Sequence, residues 1–320
     1  MVTLKELSQK EELLAGGHRL CAGCGAPVAI RQILLAAEDP VVLANATGCV
    51  EVATSIYPYT SWRVPWFHSA FENAAATIAG VESMYRSLKK QGKIPADKKI
   101  KFIAFGGDGG TYDIGLQSLS GALERGHTFL YVCYNNEAYM NTGIQRSSST
   151  PLGASTTTSP AGQVIPGKMQ HRKDLTAIVA AHNIPYVAQS VPSHWRDLTT
   201  KTRKALAVEG PSFINVLAPC HRGWRTAVDS AIELARLAVE TCFWPLYEVE
   251  NGVYRLNYKP KDKRPLVEYL KPQGRFAHLF RPENQAILEE LQKAADHQWE
   301  KLLALCGEDQ KNLDSQSHQC

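Results

Sequence analysis

Long apolar runs are missing from this sequence of 320 residues, and none approaches the roughly 18 consecutive apolar residues that a membrane helix needs. The N-terminal segment, MVTLKELSQKEELL, is charged and amphipathic, so it lacks the apolar region of an export signal. We therefore expect a cytoplasmic protein that does not cross a membrane.

A large excess of charge of either sign is missing as well. The 35 Lys and Arg residues are scattered along the chain and oppose 31 Asp and Glu residues, which leaves a formal net charge of +4. Without a basic stripe or run, a nucleic acid is not the expected partner. A chain that is 44% apolar and 21% charged is too apolar for intrinsic disorder, and its length corresponds to one large domain or two modest ones.

Short apolar runs alternate with amphipathic helical patterns over the first two thirds of the chain. The alternation predicts an α/β fold with a doubly wound, mostly parallel sheet, which we assign to residues 1–225. Predicted strands cover residues 40–46, 100–105, 128–134, 185–188 and 211–217, and predicted helices cover residues 26–37, 69–90, 114–125, 175–182 and 194–207.

Less regular segments interrupt or follow these elements. Residues 57–68 are predicted to form an aromatic and proline-rich loop. Residues 145–168 are rich in Ser, Thr, Gly and Pro and are too long for a simple connection, so we predict a functional loop or lid. Residues 226–320 form a predicted C-terminal extension that wraps the domain or a partner subunit, with a hairpin within 244–258 and a final helix over 281–305.

Gly107-Asp108-Gly109, followed by Asn135-Asn136, is the strongest chemical signal. Asp108 and Asn136 each come directly after a predicted parallel strand, so their side chains are expected to emerge at the same edge of the sheet. Carboxylate and amide oxygens are ligands that Mg²⁺ prefers, and the glycines let the backbone approach a diphosphate. Glycine-rich turns with an acid are common in α/β proteins, but the asparagine pair at this spacing resembles the diphosphate-binding motif of thiamine diphosphate enzymes.

Four of the eight cysteines form a second pattern. Cys21 and Cys24 lie in a C-x-x-C loop, whereas Cys49 and Cys220 each follow a predicted strand, at the same edge as Asp108. Four thiolates that converge there could hold a 4Fe–4S cluster or Zn²⁺, or leave Cys21 and Cys24 as a redox dithiol. The dithiol leaves the other two cysteines unexplained, and zinc sites usually use two close pairs, so the pattern favours an iron–sulfur cluster.

The other cysteines and the histidines carry weaker signals. Three cysteines follow strand or helix patterns typical of small buried hydrophobes, namely Cys133, Cys242 and Cys306, and Cys320 is a terminal thiol. His18 and His68 lie in predicted loops beside the motifs, where a structural role is the simpler interpretation. His221 could replace a thiolate in a zinc site.

Together these segments resemble the beta subunits of the 2-oxoacid:ferredoxin oxidoreductases. The likeness rests on GHRLCAGCGAP at residues 17–27, ATGC at 46–49, GGDGGTYDIG at 106–115 and YMNTG at 139–143. It extends to the tail, with WPLYE at 244–248 and YLKPQGRF at 269–276, and so spans nearly the whole chain.

The resemblance implies oxidative decarboxylation of a 2-oxoacid, with pyruvate the expected substrate, to acyl-coenzyme A and CO₂. Electrons would pass through a 4Fe–4S cluster on Cys21, Cys24, Cys49 and Cys220 to ferredoxin. The same analogy assigns Mg²⁺ to Asp108, Asn136 and the carbonyl of Ala138. It implies that thiamine diphosphate contacts Thr47, Gly48, Cys49, Val50, His68, Asp108, Gly109, Gly110, Asn136, Ala138, Met140 and Asn141, with Asn141 on the substrate side as the candidate catalytic residue.

Partner chains are also implied, because thiamine enzymes generally seat the pyrimidine ring against a second α/β domain that supplies an activating Glu. Only one doubly wound domain is predicted here. We therefore expect alpha-, gamma- and delta-type subunits in the complex, with a partner supplying the Glu, the substrate pocket and the coenzyme A site. The alternative is a homodimer in which Glu51, Glu72 or Glu137 of one copy serves the other.

Three other functions stay open at this point. The substrate could be another 2-oxoacid, such as oxalate, a branched-chain oxoacid or 2-oxoglutarate. The chain could instead be a non-oxidative thiamine enzyme resembling acetolactate synthase, with incidental cysteines, which iron content would test. An electron-transfer or scaffold subunit would contain iron but no thiamine diphosphate.

Overall fold

The structure is a computed structural model and describes residues 3–307. Within these residues eight strands form one sheet: β1 (Val41–Ala46), β2 (Trp66–Ser69), β3 (Lys101–Gly107), β4 (Leu130–Asn135), β5 (Tyr186–Ser190), β6 (Ser212–Leu217), β7 (Tyr247–Glu250) and β8 (Val253–Leu256). Their order across the sheet is β2-β1-β3-β4-β6-β5-β7-β8. The first six strands pair in parallel, which confirms the predicted α/β fold.

Helices connect these strands and cover both faces of the sheet. The α-helices are α1 (Leu4–Ser8), α2 (Gly25–Ala36), α3 (Cys49–Thr54), α4 (Ala74–Lys90), α5 (Leu116–Glu124), α6 (Leu175–Ala180), α7 (Trp195–Ala207), α8 (His221–Trp224), α9 (Ala231–Glu240), α10 (Leu266–Leu270) and α11 (Gln285–Leu305). A π-helix spans Gly109–Ile114, and 3₁₀ helices span Gly274–Phe280 and Pro282–Asn284. Among residues 3–307, no helix combines the length and the apolar content that crossing a membrane requires.

Successive strand residues pack against opposite layers of helices. In β3, Ala104 joins an apolar cluster with residues of α4 and α5, whereas Ile103 and Phe105 join a cluster with residues of α2 and α7. Burial on both faces explains why the parallel strands are nearly continuous apolar runs in the sequence.

One local prediction is wrong, and one helical segment was not predicted. The loop predicted at residues 57–68 ends in strand β2, because the backbone from Trp66 to Ser69 pairs in parallel with β1 along the edge of the sheet. Phe67 and His68 are exposed there, so the segment shows no buried-strand pattern. The helix predicted from residue 114 is preceded by the π-helix Gly109–Ile114, whose initial glycines conceal its helical character in the sequence.

The C-terminal extension adds to the same sheet. Strand β7 pairs with β5 in antiparallel fashion, and β7 and β8 form the predicted hairpin. A third apolar cluster joins Trp244 and Leu246 to Leu217 at the end of β6. The division at residue 225 stays a prediction, and residues 308–320, including the terminal thiol predicted at Cys320, lie outside the described residues.

Leu246→Ala tests whether the extension folds together with the sheet. The side chain is 1% exposed, so its truncation should lower the free energy of unfolding of the whole chain by about 2–5 kcal/mol. Val253→Ala is the matched control in the same hairpin, where the side chain is 54% exposed, and it should cost less than about 0.5 kcal/mol. Urea denaturation measures both. A separate early transition in Leu246→Ala, with the main transition unchanged, would show that the extension unfolds independently.

Candidate functional site

Asp108 and Asn136 meet at the carboxyl edge of the sheet. Asp108 follows β3 and Asn136 follows β4, and the two strands pair in parallel up to Gly107 and Tyr134. The backbone N–H of Asn136 donates to Asp108 Oδ1 at 3.2 Å. The strand register therefore brings together the two side chains that the sequence motif singled out.

Two oxygen atoms flank the side-chain amide of Asn136. The amide oxygen faces both of them, about 3 Å from Asp108 Oδ1 and from the Ala138 carbonyl oxygen. Rotated by half a turn, the amide would place its nitrogen there instead and donate to Asp108 Oδ1 at 3.0 Å and to the Ala138 carbonyl at 2.9 Å. Adjacent ligands of an octahedral Mg²⁺ ion, with bonds of about 2.1 Å, are also about 3 Å apart. This donor set fits a hard divalent cation.

Asp108 is 1% exposed, and a serine hydroxyl donates a hydrogen bond to one of its two carboxylate oxygens. Ser147 Oγ donates to Asp108 Oδ2 at 2.5 Å, which leaves Oδ1 facing Asn136. Burial raises the pKa of Asp108 to about 7, and the hydrogen bonds from Ser147 and Asn136 oppose that rise. A cation at Oδ1 would stabilise the charged carboxylate.

The segment 145–168, predicted as a functional loop or lid, packs its first half against the site. Ser149 Oγ donates to Asn135 Oδ1 at 2.8 Å, and Thr150 Oγ1 donates to the Glu137 carbonyl at 2.7 Å. The buried Lys168 closes the segment through a bond from Nζ to the Thr150 carbonyl at 2.5 Å. Sequence reasoning assigned no role to these hydroxyls, although the run of Ser and Thr at residues 147–150 could have indicated one.

Glu137 lies between the two predicted cation ligands and has a left-handed backbone, with φ 64°. Its side chain is fully buried, Oε2 accepts a hydrogen bond from Arg275 Nη2 at 2.5 Å, and Oε1 lies 3.5 Å from Arg172 Nη1. Sequence reasoning missed both arginines because no local pattern relates residues so far apart. Since its carboxylate is bound within its own chain, Glu137 is not available to serve a second copy.

The cysteines of the second pattern line a single cavity of about 210 Å³. The cavity is lined by Cys21, Cys24, Cys49 and Cys220, together with Arg19, Asn136, Asn141 and His221. No group of three or more His, Cys, Asp or Glu side chains within residues 3–307 is close enough to bind one metal ion. The four thiols thus surround a space and do not converge on a point.

Burial raises the pKa of the cavity thiols. The pKa of Cys24 rises to about 12 and that of Cys49 to about 11, and Cys220 shifts in the same direction. The Asn141 side chain, next to Cys49, opposes the rise there. These thiols stay protonated at neutral pH in the metal-free chain, so metal binding must displace their protons.

Two glycines allow the backbone to approach its neighbours closely around this cavity. Gly23, within the C-x-x-C loop, has φ +75°, and a Cβ there would lie 1.8 Å from the Val228 carbonyl oxygen. A Cβ at Gly48 would lie 2.7 Å from the Tyr134 hydroxyl. No larger side chain fits at either position without movement of the backbone or of the tyrosine.

The remaining predicted cofactor residues border the same edge of the sheet. Thr47 Oγ1 and His68 Nε2 share a hydrogen bond of 2.8 Å, and His68 Nδ1 lies 3.8 Å from Glu51 Oε1. Gly109 and Gly110 begin the π-helix directly after Asp108. His68 belongs to β2, which corrects its predicted place in a loop.

Met140 and Asn141 follow the proposed cation ligands Asn136 and Ala138 along the chain, near the thiol cavity. A Cβ at Gly223 would lie 2.1 Å from Met140 Sδ, so the methionine packs tightly on α8, which begins after Cys220. Asn141 is exposed and borders the cavity beside Cys49. Cys133 and Cys242 are 0% and 2% exposed, as predicted for small core residues.

Comparison with known proteins reveals closely similar sequences. The model of the family "Thiamine pyrophosphate enzyme, C-terminal TPP binding domain" matches residues 46–216. The chain is 56% identical over 313 residues to pyruvate synthase subunit PorB of Thermotoga maritima, with 95% of this chain and 96% of that protein covered. PorB of Methanocaldococcus jannaschii is 56% identical over 297 residues, with 92% and 98% covered. Ketoisovalerate oxidoreductase subunit VorB of Pyrococcus abyssi is 44% identical over 297 residues, with 92% and 94% covered.

A solved structure is similar to this chain in fold. The structure is that of 2-oxoglutarate:ferredoxin oxidoreductase from Magnetococcus marinus with 2-oxoglutarate, coenzyme A and succinyl-CoA bound. The match covers 68% of this chain and 76% of that chain, with a TM-score of 0.51 and 19% identity. At this identity the likeness concerns the α/β fold alone.

Asp108→Asn should change the pH dependence of stability in the cation-free chain. The folded chain holds the Asp108 proton up to about pH 7, whereas the ordinary pKa is 3.8, so stability is lost as the pH rises through this window. Between pH 5 and pH 8 the free energy of unfolding of the native chain, relative to Asp108→Asn, should fall by about 2–3 kcal/mol. Denaturation curves in the presence of a chelator measure the difference. Parallel pH profiles for the two chains would contradict the raised pKa of Asp108.

Proposed function

The chain belongs to the family of 2-oxoacid:ferredoxin oxidoreductase beta subunits that includes the PorB proteins, and we propose that it binds thiamine diphosphate, Mg²⁺ and a 4Fe–4S cluster for oxidation of pyruvate. The products would be acetyl-coenzyme A and CO₂, with ferredoxin as the electron acceptor. The PorB proteins are 45–56% identical to this chain and VorB is 44% identical, so pyruvate is favoured over a branched-chain oxoacid by a small margin.

The strongest support for this proposal is the group of oxygen atoms around the Asn136 amide. Asp108 Oδ1 and the Ala138 carbonyl oxygen lie 3.0 and 2.9 Å from the position of the Asn136 amide oxygen. Asp108, Asn136 and Ala138 would hold Mg²⁺, whose remaining positions suit diphosphate oxygens and water. Ser147 keeps the carboxylate in place through its bond to Oδ2.

The cofactor would lie along the edge of the sheet that these residues share. We propose that Gly109 and Gly110 face the diphosphate, and that the segment Thr47 to Val50, with His68, Met140 and Asn141, lines the rest. When bound, thiamine diphosphate supplies the electron sink for cleavage of the bond between the carboxylate and the carbonyl carbon of a 2-oxoacid. Asn141, exposed beside Cys49, is positioned to contact the substrate.

The thiol cavity supports an iron–sulfur cluster as the electron carrier. A polynuclear cluster separates its thiolate ligands more widely than a single ion does, which suits four cysteines arranged around a space of about 210 Å³. Asn136 belongs both to this cavity and to the proposed cation site. The two cofactors would then be neighbours, as transfer of single electrons between them requires.

Partner subunits complete the proposal. The activating Glu would come from an alpha-type subunit, and gamma- and delta-type subunits would carry electrons to ferredoxin. Phe67, next to His68 in edge strand β2, is 45% exposed, and Tyr57 and Tyr59 in the loop before β2 are 93% and 75% exposed. Exposed aromatic side chains in this segment suit a surface that a partner covers. A cytoplasmic location stays a prediction.

Cys220→Ala tests the cluster against a matched control. Loss of one of four thiolate ligands should remove the cluster or convert it to a smaller one, with lower iron and sulfide content and loss of ferredoxin reduction. Cys242→Ala removes a thiol that is 2% exposed and lies outside the cavity, so its iron content should match the native protein. Anaerobic iron and sulfide analysis with electron paramagnetic resonance measures both. Native iron content in Cys220→Ala would refute the ligand assignment.

The partner requirement predicts that this chain alone is inactive. Purified chain, reconstituted with iron, sulfide, Mg²⁺ and thiamine diphosphate, should release CO₂ from labelled pyruvate only after addition of the alpha-type subunit. A rate near that of the whole complex without that subunit would mean that the chain, or a homodimer using Glu51 or Glu72, supplies the activating group itself. A panel of 2-oxoacids in the same assay tests the substrate.

A further inference from the structure

Two side chains from later in the chain, one on α8 and one in the C-terminal extension, contact the turn between Asn136 and Ala138. Arg275, from the 3₁₀ helix Gly274–Phe280, donates to the Glu137 carboxylate, and the Trp224 indole Nε1 donates to the Asn136 carbonyl at 2.8 Å. Both side chains are buried, at 2% and 0% exposure. Two proposed cation ligands thus belong to a turn whose backbone and central side chain are held by residues far along the chain.

The turn needs outside support because its conformation is unfavourable by itself. Glu137 adopts the left-handed backbone region, which residues other than glycine seldom enter. Its carboxylate is fully buried, and a buried anion is stable only when it is paired and hydrogen-bonded. Arg275 provides the short ion pair, while Arg172 approaches the other carboxylate oxygen at 3.5 Å.

Arg275 and Trp224 act as one unit. The Arg275 guanidinium lies 4.1 Å from the centre of the Trp224 ring, and Gln273 Oε1 accepts hydrogen bonds from Arg275 Nε and Nη2 at 2.9 and 2.7 Å. With Glu137 on its remaining side, the guanidinium has little freedom to move. The Trp224 ring that packs against it is therefore also restrained, and its N–H donates to the Asn136 carbonyl from a fixed position.

We propose that Arg275 and Trp224 are positioning residues for the divalent cation. They keep the turn in the conformation that directs the Asn136 amide and the Ala138 carbonyl toward Asp108 Oδ1. The inference rests on the proposed function, since it assumes that thiamine diphosphate binds with a cation at these oxygens. Neither residue contacts an oxygen atom that is proposed to bind the cation. Trp224 acts through the backbone carbonyl of Asn136, and Arg275 acts through Glu137.

A positioning role predicts an effect on the choice of metal. Mg²⁺ requires nearly ideal octahedral geometry at about 2.1 Å, whereas the larger Ca²⁺ tolerates irregular ligands at about 2.3–2.6 Å. Displacement of the Ala138 carbonyl or the Asn136 amide should therefore weaken Mg²⁺ more than Ca²⁺. A purely structural role for Arg275 and Trp224 would lower stability without altering the ratio of the two affinities.

Trp224→Phe is the conservative variant, because it removes the indole N–H and keeps an aromatic ring beneath Arg275. Trp244→Phe is its matched control, since Trp244 is also buried and its Nε1 donates to the Ser190 carbonyl at 3.0 Å, away from the turn. The native complex and each variant complex are stripped with a chelator. The Mg²⁺ or Ca²⁺ concentration that half-saturates rebinding of labelled thiamine diphosphate is then measured by equilibrium dialysis.

Trp224→Phe should raise the half-saturating Mg²⁺ concentration by about 10- to 100-fold, as changes in groups that orient metal ligands do. The rise for Ca²⁺ should be smaller, and Trp244→Phe should stay within about twofold of the native complex for both metals. Unchanged Mg²⁺ dependence in folded Trp224→Phe, or an equal loss of both metals, would overturn the proposal.

Arg275→Met leaves Glu137 as an unpaired buried carboxylate and can prevent folding. The paired variant Glu137→Gln with Arg275→Met avoids that charge and should show the same selective loss of Mg²⁺. Lys201→Met is the control for removal of a buried cation elsewhere, because Lys201 pairs with Asp197 at 2.8 Å, and it should lower stability only. Native Mg²⁺ dependence in the paired variant would also overturn the proposal. If the native complex binds thiamine diphosphate without any cation, the proposed function itself fails.

Discussion

A carboxylate buried at the carboxyl edge of a parallel sheet is the constraint around which this site is organised. Asp108 is 1% exposed, and an anion at that depth is unfavourable unless a positive charge or several hydrogen bonds compensate it. Ser147 and the Asn136 backbone supply hydrogen bonds but no charge, so the pKa of the carboxyl rises to about 7. A divalent cation would supply the missing charge, and it would stabilise the orientation in which the Asn136 amide oxygen faces Asp108 Oδ1.

The same constraint explains why distant segments converge on this edge. The loop at residues 145–168 contributes hydroxyl groups to the two strand ends. Helix α8 contributes Trp224 and the C-terminal extension contributes Arg275 to the turn behind them. The extension does more than wrap the domain, because β7 joins the sheet and Arg275 pairs with Glu137 in the turn of the proposed cation ligands. A metal site of this kind needs neighbouring groups that hold its ligand residues in a fixed orientation.

Much of this arrangement could be predicted from the sequence, and the rest depends on tertiary contacts. The apolar runs predicted the parallel strands, and strand-end placement predicted that Asp108 and Asn136 would meet. Strand β2 escaped prediction because it is a short edge strand with exposed side chains, and the π-helix escaped because it begins with glycines. The ion pair between Glu137 and Arg275 links residues 138 positions apart, and no local pattern relates such residues.

The central claim is that Asp108, Asn136 and Ala138 hold a divalent cation against the diphosphate of the cofactor. Electron paramagnetic resonance of bound Mn²⁺, combined with electron–nuclear double resonance at ³¹P, tests it directly in the complex. We expect one tightly bound Mn²⁺ per chain, dependent on thiamine diphosphate, with coupling to phosphorus, and loss of this site in Asp108→Asn. Mn²⁺ bound without phosphorus coupling, or bound equally well by Asp108→Asn, would contradict the account.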